Sequence, residues 1–326
     1  MKVLAAWSLW PTAPASPGAD FCAQDLAPLE ERFVPQRPRR VGRHARLALI
    51  GASACVSMSP DGIPGSRTGI YLGSGIGNGA EEGLVAEQVI GLTSGLAQGP
   101  ASPVHFANSV SNSATFYAAR VTGARGPNMV VSQEETSFEG ALMMADLALR
   151  TGEVDRALVG GVDEYLPDRE GLVLRIGMPG NTVLGEGSGW LLVGRDEHET
   201  SGEILETILL AGESRGGHGP GAAFDVIAAN VARLRCAGEP VTIFPGLRVD
   251  AIASALLASR IPGAKVTPYL DRCGVFETAS ALAIAEVYGP GALPGLYLHV
   301  TLCRLGVAAV LFRRNPAYVM EQPACG

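Results

Sequence analysis

A strand, a helix and a second strand follow one another directly in the middle of the chain, and this unit constrains the fold most strongly. Residues 129–132 and 156–162 are two predominantly apolar runs. Between them apolar residues recur at helical spacing, namely Phe138, Ala141, Leu142, Ala145 and Leu149. Such a unit predicts a βαβ crossover with two parallel strands in one sheet. Because the second run is apolar almost throughout, we expect that strand to be buried on both faces.

Apolar strand segments alternate with helical patterns over most of the remaining chain, which predicts an α/β fold with buried sheets. The first segment, residues 1–10, is interpreted as a buried strand rather than a signal peptide, because a single lysine precedes its apolar core. After residue 200 the alternation returns with strands at 205–210, 240–244, 297–303 and 307–313 and helices at 223–235, 250–259 and 278–287. The repetition predicts two related halves, residues 1–200 and 201–326, within one compact unit.

Composition excludes several classes of function. Hydrophobic residues make up 47% of the 326 residues and charged residues 17%, so the chain has enough apolar material for a large core. A net charge of −7 argues against a nucleic-acid groove, which needs a clustered basic face. No run approaches the roughly 18 to 20 uninterrupted apolar residues of a spanning helix, so we expect a soluble protein without membrane contact.

The cysteines and the glycine-rich runs indicate neither a metal nor a cofactor. Six cysteines are scattered without metal-ligand spacing, as in proteins with reduced thiols, and we expect a cytoplasmic location. The run from Gly73 to Gly77 lacks the lysine and Ser/Thr of a nucleotide loop and the spacing of a dinucleotide fingerprint. A strand-to-helix turn is the favoured interpretation of this run, with a nucleotide site as the alternative.

One local concentration of positive charge contrasts with the acidic total. It consists of Arg37, Arg39, Arg40, Arg43 and Arg46, with no aromatic residue interleaved. We interpret these arginines as part of a solvated loop. Contact with an acidic carrier protein is the alternative interpretation.

Three further motifs carry a family resemblance. They lie at Gly126 to Glu135, at Gly152 to Glu164 and at Leu184 to Trp190, and together they resemble the β-ketoacyl synthases of the thiolase-like fold. The stretch from Pro103 to Asn112 resembles the segment before the nucleophile strand in bacterial type II synthases that build aryl polyenes. The resemblance is clear over about residues 65–195 and implies a five-layered αβαβα fold with two pseudo-symmetric halves.

The resemblance also identifies what this chain lacks. In the family a cysteine thiolate at a helix N-terminus accepts the acyl chain, whereas the corresponding position here holds Glu135, preceded by Glu134. The two family histidines are absent from the corresponding runs 243–247 and 273–276, and residues 303–306 replace a Gly-Phe-Gly-Gly gate. The histidines of the chain stand in other local contexts, at His44, His105, His198, His218 and His299. We therefore expect no catalytic residue, and no condensation by this chain alone.

Retained scaffold motifs with altered catalytic positions resemble the chain length factor, the non-catalytic partner of a ketosynthase in type II polyketide systems. The resemblance implies a heterodimer, or a dimer of heterodimers, with a Cys-bearing ketosynthase subunit, and an acyl carrier protein as a second partner. In this assembly the chain would wall off the tunnel for the growing polyketide or polyene acyl chain. The residues implied for the tunnel and the dimer interface are Phe106, Asn112, Phe116, Tyr117, Met129 and Gln133.

Other interpretations of these residues stay open. Aromatic residues such as Phe116 and Tyr117 also suit simple core positions. Two adjacent, partly buried carboxylates at Glu134 and Glu135 would raise the pKa of one of them and supply hydrogen bonds across the dimer. As alternatives to the chain length factor, Glu135 would support malonyl decarboxylation to start a chain, or the chain would be a homodimeric thiolase-fold protein that binds an acyl carrier or acyl-CoA.

Overall fold

Strands and helices alternate along the chain as the sequence predicts. The fold is seen in a computed structural model that describes residues 1–316 except 15, 17, 22–24, 35, 37, 60–64, 66, 97–101, 167, 196–199, 212–219 and 305. The strands are β1 (Lys2–Leu9), β2 (Thr68–Gly73), β3 (Asn128–Val131), β4 (Arg156–Asp163), β5 (Gly187–Gly194), β6 (Gly202–Ala211), β7 (Val241–Pro245), β8 (Ala264–Val266), β9 (Gly295–Cys303) and β10 (Gly306–Arg314). The helices are α1 (Ala27–Phe33), α2 (Arg43–Ser57), α3 (Gly79–Thr93), α4 (Pro103–Ser109), α5 (Ser113–Thr122), α6 (Ser137–Arg150), α7 (Arg169–Ile176), α8 (Gly221–Leu234), α9 (Ala251–Ala258), α10 (Leu270–Cys273) and α11 (Ala279–Val287). None of these helices combines the length and the apolar character needed to cross a membrane.

The ten strands of the described residues form one hydrogen-bonded sheet in the order β3-β2-β4-β5-β1-β6-β10-β9-β7-β8. In its first half β2 is parallel to β3 and β4, whereas β5 is antiparallel to β4 and β1 to β5. The second half repeats this pattern, because β7 is parallel to β8 and β9, whereas β10 is antiparallel to β9 and β6 to β10. The halves join where Lys2 pairs with Glu203 and Val3 with Gly202. The strand orders of the two halves are therefore related by a pseudo-twofold axis at this junction.

Helices pack against both faces of the sheet. Buried side chains of α6 and α11 share one apolar core with the inner faces of both halves of the sheet. The helices α2 and α5 cover the outer face of the first half, and α8 and α9 cover the outer face of the second. The layers run helix, sheet, helix, sheet, helix, which confirms the five-layered αβαβα fold.

The predicted βαβ unit is present in the first half. Both β3 and β4 pair with β2 in parallel, and α6 crosses between them. Every residue of β4 from Ala157 to Asp163 is buried, as expected for a strand covered on both faces. The apolar pattern of residues 183–194 also predicts a strand region, interrupted by glycines. Strand β5 begins only at Gly187, because Leu184 forms an isolated bridge to Val275 ahead of it.

Glycines on the strands let the central helices approach the first half of the sheet. A Cβ atom at Gly73 would lie 2.5 Å from the backbone carbonyl of Ser137 at the start of α6. At Gly189 of β5 it would lie 2.4 Å from the backbone carbonyl of Ala281 in α11, and at Gly161 of β4 it would lie 2.5 Å from the Cβ of Ala281. Any larger residue would push these helices outward, so the three glycines set the depth of the central layer.

Gly189→Ala tests this close approach. The added methyl group has to displace the backbone of α11, and we expect a loss of about 1–3 kcal/mol in the free energy of unfolding, the usual cost of overpacking. The matched control is Gly83→Ala in α3, where a Cβ would meet no atom within 4 Å and where alanine is favoured over glycine by up to about 1 kcal/mol. Urea unfolding measures both variants, and equal stability of the two would contradict the close approach.

Candidate functional site

Glu135, which the sequence resemblance aligns with a nucleophilic cysteine, lies in the turn before α6. A 3₁₀ turn, Glu134–Thr136, connects β3 to this helix, and Glu134 has a left-handed φ of 50°. Ser137 closes the turn, because its Oγ accepts a hydrogen bond from the Gln133 N–H at 2.8 Å and donates one to the Glu134 carbonyl at 2.7 Å. The turn exposes the Glu134 side chain and buries that of Glu135, which is 2% exposed.

Arg248 neutralises the buried Glu135 carboxylate. Its Nη2 lies 2.6 Å from Glu135 Oε1, and its Nε and Nη2 both donate to the Ile176 carbonyl, at 3.1 and 2.5 Å. Arg248 follows β7 and also has a left-handed φ, of 59°, and strained backbone of this kind concentrates at functional sites. The structure therefore differs from the expected pair of partly buried carboxylates, because the turn separates Glu134 from Glu135 and a cation from the second half binds the buried one.

The two runs that would carry the family histidines hold no base. Run 243–247 forms the end of β7 and leads to Arg248, and run 273–276 leads into α11. The thiol of Cys273 in the second run is buried, and its Sγ donates to the Gly274 carbonyl at 3.2 Å. Burial raises the pKa of the Cys273 thiol, which keeps it protonated and unreactive.

A histidine that sequence reasoning placed in another context lies behind the end of β7. A Cβ at Gly246 would lie 2.8 Å from the imidazole of His299, which projects from β9. The His299 Nε2 lies 2.9 Å from Tyr269 Oη, and Nδ1 lies 3.7 Å from Glu139 Oε1. Burial lowers the pKa of His299 to about 3 and raises the pKa of Glu139 to about 7. His299 is enclosed by protein, so its imidazole does not meet a substrate at the surface.

Buried carboxylates next to the site connect its elements. Asp163 at the end of β4 accepts hydrogen bonds from Ser74 Oγ at 2.8 Å and from the N–H and Oγ1 of Thr278 at 3.0 and 2.9 Å. Glu277 accepts two hydrogen bonds from Arg175, at 3.1 and 2.6 Å. Burial and the negative charge of Asp163 raise the pKa of Glu277 to about 7, against the opposing effect of Arg175. These bonds fix the start of α11 against β4 and α7.

The arrangement holds charges in place but supplies no nucleophile. Glu135 is a carboxylate paired with an arginine, so it cannot carry an acyl chain as a thioester. Within the part of the chain that the structure describes, no group of three or more His, Cys, Asp or Glu side chains could hold a metal ion. Chemically, the site is a buried structural ion pair.

The residues implied for the tunnel and the dimer interface belong to α4, α5, β3 and the turns beside them. Four of them are exposed, namely Phe106, Asn112, Phe116 and Gln133. Tyr117 and Met129 are half-buried. Tyr117 Oη donates to Asn108 Oδ1 at 3.3 Å, and its ring meets the Phe116 ring edge-on with centroids 5.5 Å apart. The structure places all six on neighbouring elements of the first half.

Sequence reasoning missed four residues of the site, Arg175, Arg248, His299 and Glu139. No local motif marks them, because each acts through contact with a distant part of the chain. One signal was available in the sequence, since Arg248 directly follows run 243–247, where the first family histidine is missing. An arginine directly after a run that lacks an expected histidine is a candidate ion-pair partner for a buried carboxylate.

Comparison with known proteins shows that the first half of the chain is similar to a sequence family. Residues 15–176 match the family model described as Beta-ketoacyl synthase, N-terminal domain. The Streptomyces virginiae protein named "Putative polyketide beta-ketoacyl synthase 1" is 33% identical over 151 residues, which are 44% of this chain and 34% of that protein. The matched stretch therefore spans about a third of the length of that curated relative.

Several solved structures are similar to this chain over most of its length. The ishigamide ketosynthase/chain length factor has a TM-score of 0.71 at 20% identity, covering 89% of this chain and 85% of that one. AntDE:AntF, a type II PKS acyl-carrier protein in complex with its ketosynthase bound to the hexaketide, has a TM-score of 0.73 at 12% identity, covering 96% and 98%. A β-ketoacyl synthase from Burkholderia phymatum STM815 has a TM-score of 0.67 at 15% identity, covering 87% and 86%. The chain therefore has the thiolase-like ketosynthase fold.

Replacing Arg248 with Met should leave the buried Glu135 carboxylate without its cation. We expect a loss of about 3 kcal/mol in the free energy of unfolding, the lower end for breaking a buried ion pair. The double variant Glu135→Gln/Arg248→Met should recover most of this loss, because the amide carries no charge. Arg233→Met is the matched control, since its exposed pair with Glu206 contributes under about 1 kcal/mol. Urea unfolding of these four proteins would refute the pairing if the double variant were as unstable as the single one.

Glu139→Gln tests the protonation of the central layer. The pKa of Glu139 is about 7 in the folded protein and about 4.3 in an unfolded chain, so its favourable contribution exists at low pH and is lost as the pH rises through about 7. The variant should therefore gain stability relative to the parent between about pH 5 and about pH 8, by up to about 3 kcal/mol. Because burial lowers the pKa of His299, this residue makes an opposing contribution to the pH dependence of the free energy of unfolding. That contribution is present in both proteins and cancels in the difference.

The measurement is the free energy of unfolding of the Glu139→Gln variant minus that of the parent across this pH range. Glu87→Gln is the control, because Glu87 is exposed on α3. A difference that does not change with pH would show that Glu139 is already ionised in the folded protein.

Proposed function

We propose that this chain, which has the thiolase-like ketosynthase fold, is a non-catalytic chain length factor. It would pair with a Cys-bearing ketosynthase subunit and wall off the tunnel that receives the growing acyl chain. The observation that carries the proposal is the buried ion pair of Glu135 with Arg248 at the position of the nucleophile. A subunit that held its own thiolate there would not need an arginine from the second half to neutralise the site.

The surface of the first half supports a protein partner. Helix α3 has no buried residue, and apolar side chains on α3, α4, α5 and the segments between them are exposed. They are Leu84, Val89, Ile90, Leu92, Leu96, Phe106, Val110 and Phe116. Beside them β3 is the edge strand of the sheet, with free backbone groups on its outer side. An apolar surface next to an open sheet edge is typical of a subunit interface rather than of a monomer's surface.

A partner with its own thiolate would supply the nucleophile that a second copy of this chain does not supply. A homodimer would contain two Glu135 ion pairs and no nucleophile. In the heterodimer, Phe106, Phe116 and Tyr117 would face the partner and set the depth of the tunnel, with Asn112, Met129 and Gln133 beside them. The decarboxylase alternative has less support, because Arg248 already occupies the Glu135 carboxylate and neither run 243–247 nor run 273–276 contains a histidine.

The arginine cluster supports contact with an acyl carrier protein. Two of its members are bound within the chain, Arg43 to Glu186 at 2.9 Å and Arg46 to Glu30 at 2.6 and 2.9 Å. Arg39 and Arg40 are exposed, and they border a cavity of about 330 Å³ whose walls include Val34, Val41 and Leu49. Arg37 lies outside the described residues. Two exposed cations at the rim of this cavity suit an acidic carrier surface.

Co-expression tests the heterodimer. We expect an adjacent gene to encode a ketosynthase with an intact cysteine and both histidines, and this chain to co-purify with it in equal amounts when only the ketosynthase is tagged. The variant Phe106→Asp/Phe116→Asp should reduce the co-purified amount about tenfold or more, because aromatic anchors dominate interfaces. Ile252→Asp is the matched control, since Ile252 is an equally exposed apolar residue on α9 of the second half.

Light scattering of the purified species then gives its mass. A chain that fails to co-purify and instead forms its own homodimer would overturn the chain length factor proposal and leave acyl binding as the function to test. Loss of co-purification in the Ile252→Asp control would show that the second half, rather than α4 and α5, forms the interface.

A further inference from the structure

The two central helices differ in length, and this difference opens a cavity in the second half. Helix α6, between β3 and β4, has 14 residues and packs on β2, β3 and β4 of its own half. Its pseudo-symmetric counterpart α11, which precedes β9, has nine residues and packs on β5, β1 and β4 of the first half. The inner face of β7 and β8 therefore lacks the cover that α6 gives to β2 and β3. A cavity of about 570 Å³ lies there, which we call the β7–β8 pocket.

The walls of the β7–β8 pocket are mainly apolar and are held in place. Phe244 and Tyr297 stack with centroids 5.8 Å apart and planes inclined by 18°, and Val287 lines the pocket at the end of α11. Tyr297 Oη donates to the Leu293 carbonyl at 2.5 Å, which fixes the loop before β9 against the rim. The volume falls within the roughly 300–1,000 Å³ of small-molecule sites.

Among the described charged residues at the rim of the β7–β8 pocket, the cation Lys265 has no carboxylate partner. Three charged residues line the pocket, Lys265, Arg272 and Glu286. Arg272 Nη2 lies 2.5 Å from Glu286 Oε1, and its guanidinium lies over the Trp10 ring at 4.2 Å, so this pair neutralises itself. Lys265 on β8 is exposed, and no carboxylate among the described residues pairs with it. Among the described residues, the pocket thus combines mainly apolar walls with one ammonium group that has no carboxylate partner.

We propose that the β7–β8 pocket binds a monocarboxylate with an apolar tail. The tail would lie along Phe244, Tyr297 and Val287, and the carboxylate would accept hydrogen bonds from the Lys265 ammonium, with the hydroxyl groups of Thr242 and Thr267 also lining the pocket. The pocket starts at the beginning of β7, whereas Arg248 follows its end, so the proposed site is separate from the Glu135 ion pair. The inference therefore does not depend on the chain length factor proposal.

Selective labelling of lysine tests this site, because Lys2 and Lys265 are the two lysines of the chain. The full chain, in the assembly in which it purifies, is treated with an amine-acetylating reagent with and without decanoate, and the modification of each lysine is measured by mass spectrometry. We expect decanoate to protect Lys265 at least about fivefold, because a bound carboxylate holds its ammonium group. Lys2 is the internal control, since it pairs with Glu203 at 2.8 Å away from the pocket. Equal labelling of Lys265 with and without decanoate would overturn the proposal.

Affinity measurements by calorimetry test the two parts of the ligand separately. Binding should tighten roughly tenfold from octanoate to decanoate, because two more CH2 groups are buried. Lys265→Met should weaken decanoate binding about tenfold, the factor that one charge-assisted hydrogen bond contributes. Ala292→Trp, which fills the pocket from the loop before β9, should abolish it, and Lys2→Met should leave it unchanged. Equal affinity for decanoate and for the cation decyltrimethylammonium would show nonspecific apolar adsorption and refute the site.

Discussion

The close approach of the two central helices to the first half of the sheet is the constraint on which the other features depend. Gly73, Gly161 and Gly189 allow α6 and α11 to lie against the strands where any Cβ would collide with a helix. That depth buries the first turn of α6, and Glu135 with it. It also brings the start of α11 within hydrogen-bond distance of Asp163, which binds both the N–H and the hydroxyl of Thr278. The close packing of these helices thus determines which charged groups of the site are buried and which polar groups they meet.

The buried ion pair shows how a fold can keep its scaffold while its chemistry changes. A helix N-terminus stabilises negative charge, whether it is a thiolate or a carboxylate, and Glu135 lies in the turn directly before α6. Arg248 completes the neutralisation from the second half, and its two hydrogen bonds to the Ile176 carbonyl tie α7 to the same point. The site therefore joins three parts of the chain, which is a structural role for its polar groups.

Much of the architecture followed from sequence pattern, and the errors have physical causes. The βαβ unit was predictable because its strands are continuous apolar runs and its helix has a regular apolar face. The start of β5 was placed too early, because Leu184 is apolar like a strand residue but bridges to Val275 instead. His299 was placed outside the site because it lies within an ordinary strand, and the strand pairing that brings it behind Gly246 leaves no local signal.

The sequence by itself determined the fold class, the presence of Glu135 before α6 and the absence of a histidine from runs 243–247 and 273–276, because each depends on residue identity or local periodicity. Only the tertiary structure decided that Arg248 pairs with Glu135 and that Glu134 and Glu135 lie in different environments. It also decided that, among the described residues, no carboxylate pairs with Lys265 at the mainly apolar β7–β8 pocket. Those properties depend on which distant segments meet and on how much water remains between them, and neither is encoded in any local stretch of the chain.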